Sequence, residues 1–282
     1  IAVGDFAHLE KGGKTILSLI EKHMGKWPRT PKERYAKALP FECTAPKQLP
    51  DAPTKTLICI DSELSGSAVE IGLVLAPAPW ARTARTLLDS MQRDIWMEVL
   101  NFRLAKLVEN GGADPPFAGA HGSREAFEGA PMFELSASLR TEDQWEGALS
   151  TILDEANRLL LYGATEAEVD RIVKNYEAGL QARYRERHDV ESAEIASELV
   201  THFLHDGESV ANMSLEYVTR LLLALLGKKN SYEDVPFIDA SSVSAAGKAS
   251  FSKLSSPTFL RVIAPRGGPK SEAALLKVLE EA

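Results

Sequence analysis

The sequence predicts an α+β fold: a two-layer sandwich in which helices pack on one face of an antiparallel-rich mixed sheet. Three observations predict it. Segments with strand character cluster in the first half of the chain, helical stripes dominate the second half, and one more strand and helix close it. With 282 residues, 44% of them hydrophobic, there is ample material for a buried core.

"IAVGDF" reads as a strand ending in a Gly-Asp turn. "GGKTILSLIEKHMGKW" places Ile16, Leu17, Leu19, Ile20 and Met24 at helical spacing and stops at Gly25. The following stretch is rich in Pro, Lys and Ala and predicts a surface connection with one short edge strand near Phe41. "KTLICID" and "SAVEIGLVLAP", separated by the turn-forming "SELSGS", predict a β-hairpin. From Pro79 to Asn110 the spacing of Leu88, Met91, Ile95, Val99 and Phe102 predicts a long helix, ended by "ENGGADPP".

Two strands follow, "FAGAHGSREAF" and "MFELSASL", the second alternating at Phe133, Leu135 and Ala137. Thr141 and Gln144 have capping-box spacing, ahead of a helix that buries Trp145, Leu149, Ile152, Ala156 and Leu159 and ends at Gly163. Thr165 and Glu168 repeat the pattern for a helix through "VDRIVKNYEAGLQARYRER". "AEIASELVTHFL" and "EYVTRLLLALL" are further helices. After a looser stretch, "FLRVIAP" is the last strand and Ser271 caps the final helix.

Composition narrows the function classes. The formal charge is −8, and the basic residues are scattered, which argues against a nucleic-acid surface. No apolar run reaches the roughly 18 residues that span a bilayer. Cys43 and Cys59 lie in apolar, strand-like stretches, where burial as free thiols is the expectation and a disulfide the alternative. No Gly-x-Ser-x-Gly elbow is present. "GGKT" has the ending of a phosphate-binding loop, but His8 stands where its first glycine, five residues before Gly13, belongs.

The order "IAVGDF", a helix ending "HMGKWP", a hairpin, "VLNFRLAKLVENGG", "MFELSASL" and "ILDEANRLLLYGATEAEVDRIVKNYEAGL" resembles the pitrilysin/insulinase-type zinc metallopeptidases, which include the mitochondrial processing peptidases. The likeness covers most of the chain and is closest to the non-catalytic, C-terminal domain of one half of such an enzyme. It implies residues 1–282 as a single inactive domain, with 227–282 as its C-terminal extension. It also implies that a catalytic domain carrying the zinc precedes Ile1, that a second half or partner subunit closes a chamber, and that the substrate is a peptide. The periplasm and organelles are the compartments it suggests.

The family's catalytic signature is His-x-x-Glu-His on a helix: two imidazoles one turn apart bind zinc, and the glutamate activates the metal-bound water. No histidine here fits. His8 has its glutamate one place early, and His23 and His121 have no partner in range. His188 and Glu191 are correctly spaced, but Ser192 occupies the second histidine position. His202 and His205 are close enough on a helix to share a metal, with Asp206 and Glu208 nearby, and a helix C-terminus that favours cationic side chains explains them equally well.

The resemblance further implies an Arg and a Tyr, with six residues between them, that hold the scissile peptide. Arg103 stands at the matching place, and the tyrosine position is Asn110. Arg103 is therefore the one candidate substrate-binding residue, and no catalytic or metal-ligating residue is expected. Alternatively, its stem covers an apolar face between Val99 and Leu107 while its head stays in water. The function implied is part of a zinc metalloendopeptidase, inactive by itself, with a non-enzymatic scaffold subunit of the same family as the alternative.

Overall fold

The computed structural model describes residues 15–28, 53–75, 84–109, 117–127, 130–186, 189–204, 223–224, 226 and 238–281. Their strands form one mixed sheet: β1 (Lys55–Ile60), β2 (Ala68–Val74), β3 (Phe117–Phe127), β4 (Ala130–Leu139) and β5 (Phe259–Ala264), in the order β1-β5-β2-β4-β3. β1 and β5 are parallel, and the other neighbours are antiparallel. The helices are α1 (Ile16–Met24), α2 (Ala84–Glu109), α3 (Trp145–Tyr162), α4 (Glu166–Arg185), α5 (Ser192–Leu204), α6 (Ala240–Phe251) and α7 (Glu272–Glu281). The fold class is the expected α+β, with a mostly antiparallel sheet and helices packed against it.

The period-two alternation decides which face the helices cover. Val69, Ile71 and Leu73 of β2 stand beside Ala137, Leu135 and Phe133 of β4, and Val69 and Ile71 also neighbour Val262 and Leu260 of β5. All of these are buried. α3 lies over β2 and β4, α2 along β3, and α7 against β1, while α6 packs on α2 and α3. Each large apolar side chain buried this way contributes about 1.5–3 kcal/mol. The residues between them in sequence point to the other face, where Glu70 pairs with Arg261 across β2 and β5 and His121 stands opposite Ser136.

Some local expectations are corrected. β1 and β2 are antiparallel to each other as in a hairpin, but they do not pair, because β5 inserts between them and bonds to both. β5 is half-buried even on its polar side, as suits an interior strand, whereas β1 is largely exposed, as suits an edge. Thr141 and Gln144 form no capping box. The chain makes a short 3₁₀ turn at Glu142–Gln144, with the Gln144 amide donating to the Thr141 carbonyl, and Trp145 is only half-buried. The "looser stretch" after Leu226 contains α6, which starts in a capping box between Asp239 and Ser242.

Other local signals hold. Gly163 ends α3 at φ 77°, and Thr165 and Glu168 form the box that opens α4. The Ser271 hydroxyl accepts from the Ala274 amide at the start of α7. The 227–282 segment, expected as an extension, contributes α6, an interior strand and α7. "IAVGDF", the strand near Phe41, Cys43 and nearly all of "EYVTRLLLALL" lie outside the described residues.

Candidate functional site

Arg103 sits on α2 where that helix meets α3 and α4. Its neighbours Leu100 and Leu104 are fully buried, so the helix presents its apolar stripe to the core and Arg103 beside it to a polar seam. The guanidinium binds Glu168 in bidentate fashion, Nε donating to Oε1 at 2.7 Å and Nη2 to Oε2 at 2.9 Å. Nη2 also donates to the Gly163 carbonyl at 3.2 Å, and Nη1 to Glu155 Oε1 at 3.5 Å. The head is thus held by this chain's own acceptors, and its side chain is 16% exposed. This differs from the expectation that the head would lie in water.

The two carboxylates are held by more than Arg103. Glu155 is buried and also receives Arg158 Nη1 at 3.3 Å. Glu168 is the return arm of the α4 capping box, accepting from the Thr165 amide at 2.8 Å and its hydroxyl at 2.9 Å. Desolvation pushes the Glu168 carboxyl up, but the bonds from Arg103 and from Thr165 together outweigh it and bring it from 4.5 to about 2. Arg103 is raised in turn, by its bond to Glu168 working against desolvation. Both groups are therefore charged across the physiological range, and neither is poised to move a proton near neutrality.

Sequence reasoning identified Arg103 and the capping role of Glu168 but not their meeting, which joins residues 65 apart in the chain. Glu155 was missed. A signal for it existed: it lies within the apolar stripe of Ile152, Ala156 and Leu159, where an ionised side chain requires a cation.

The histidine candidates are not brought together among the described residues. His23 is exposed in the last turn of α1, and His121 on β3 has Nδ1 3.4 Å from Ser136 Oγ. Glu191 and Ser192 are exposed at the start of α5, and His202 lies on α5. His188, His205, Asp206, Glu208, His8 and Asn110 lie outside the described residues. No group of three or more His, Cys, Asp or Glu among the described residues could hold a metal ion. Cys59 is a free thiol and, against expectation, exposed, because it points away from the helices on β1, the end strand of the sheet among the described residues. No helix among the described residues is long and apolar enough to cross a membrane.

The model of the Peptidase M16 inactive domain matches residues 2–176 of this chain. The chain belongs to that family. It is a pitrilysin/insulinase-family domain, of the kind that accompanies the family's zinc-carrying catalytic domain. A zinc protease PQQL-like of Arabidopsis thaliana is 26% identical over 250 residues, a match covering 86% of this chain. The chain spans only 20% of that relative's length. Among solved structures, the first half of the periplasmic protease PqqL from Escherichia coli is similar with a TM-score of 0.66 at 15% identity, over 94% of this chain and 52% of that one. A chain of complex III2 from Candida albicans is similar with a TM-score of 0.53 at 14% identity, over 80% of this chain and 49% of its own. At such identities the shared property is the fold.

Proposed function

We propose that this M16 inactive domain is the silent partner of a zinc-dependent endopeptidase, supplying chamber wall and interdomain contacts to a catalytic domain that carries the metal. The observation that supports it most directly is the match to the inactive-domain model over residues 2–176, with a zinc protease as the sequence relative. In the parent enzyme, zinc would activate the water that attacks the peptide carbonyl. A second half or partner subunit would close the chamber, in a compartment such as the periplasm or an organelle.

Residues 1–282 are read as one domain of this kind. Arg103, which the family resemblance assigns to peptide binding, is read instead as a clasp of α2, α3 and α4. What supports the clasp is that four of its five N–H donors already meet acceptors of this chain.

The test is zinc content and peptide cleavage, measured for this chain beside a longer one that carries a catalytic domain. The expected result is about one zinc and cleavage of unstructured peptides in the longer chain alone. Stoichiometric zinc or cleavage by residues 1–282 alone would overturn the proposal. A longer chain with neither zinc nor activity would favour a scaffold subunit, a reading that the similarity to a complex III chain supports.

A further inference from the structure

We draw no further inference here: the strongest candidate, the exposed apolar face of α1 formed by Leu17, Ile20 and Met24 with Trp27 just beyond the helix, carries none because nothing in the structure shows what covers it.

Discussion

α2 is tied to the rest of the molecule in two chemically opposite ways. On one side Trp96 is fully buried, stacked on Phe251 of α6 with ring centroids 4.6 Å apart, and Gly247 of the same helix leaves room for the indole. A few positions further on, Arg103 reaches across a half-buried seam to two carboxylates and a carbonyl. The first contact is held by shape and surface removed from water, so it responds to volume and hardly to pH or salt. The second is held by charge and hydrogen-bond direction, so it responds to protonation and to the loss of any one member.

The largest effect is expected at the packed side. Trp96→Ala should cost about 3–5 kcal/mol, by lost burial and a cavity between α2 and α6. Gly247→Val should also destabilise, because any Cβ at 247 comes within 2.1–2.5 Å of indole ring atoms of Trp96 and the ring is backed by Phe251. Urea unfolding at neutral pH measures both. The Trp96 N–H has no hydrogen-bond partner among the described residues, so Trp96→Phe, which removes that donor and keeps most of the ring contact, should cost much less than Trp96→Ala. Equal losses for the two would show that ring packing is not what matters there.

A smaller effect is expected at the ionic side. Arg103→Ala leaves buried Glu155 with only Arg158 and strips Glu168 of its bidentate partner, and should cost about 2–3 kcal/mol, below the usual range for a fully buried pair because the seam is partly wet. Arg103→Lys should recover less than half of that loss, since an ammonium cannot reproduce the two parallel bonds. Chemical denaturation separates the three proteins. A neutral outcome for Arg103→Ala would return Arg103 to candidacy as a peptide contact.

The smallest expected effect distinguishes the two ties by pH. Glu168 has its folded-state pKa depressed from 4.5 to about 2, so the stability it contributes is fully present above 4.5 and is lost as the pH falls toward 2. The difference in Tm between the parent chain and Glu168→Gln should be constant above that window and close within it. The difference between the parent chain and Trp96→Ala should not follow that course. A Glu168→Gln gap that stays open at pH 2 would mean that the glutamate acts through shape and not through charge.

What was legible in the sequence was local. Thr165 and Glu168 are three apart, and Gly163 adopts a φ that other residues avoid, so caps and stops are written in neighbouring letters. The alternation at Phe133, Leu135 and Ala137 and the stripe from Leu88 to Val99 assigned buried faces correctly for the same reason. The missing box at Thr141 shows the limit of such signals. Capping residues at the right spacing permit a box, and here the chain took a 3₁₀ turn instead. α6 escaped notice because its Ala, Ser and Gly residues form no broad apolar stripe, and its burial rests on Val243, Gly247 and Phe251 fitting against other elements.

The sequence by itself determined the fold class, most element positions and, through their order, the family. Only the tertiary structure decided that β5 parts β1 from β2, that Gly247 receives Trp96, and that Arg103 meets Glu155 and Glu168. The physical reason is the range of the interactions. Helix caps and side-chain periodicity involve residues within about four positions of one another, whereas strand order and ion-pair partners join segments whose separation along the chain leaves no local trace.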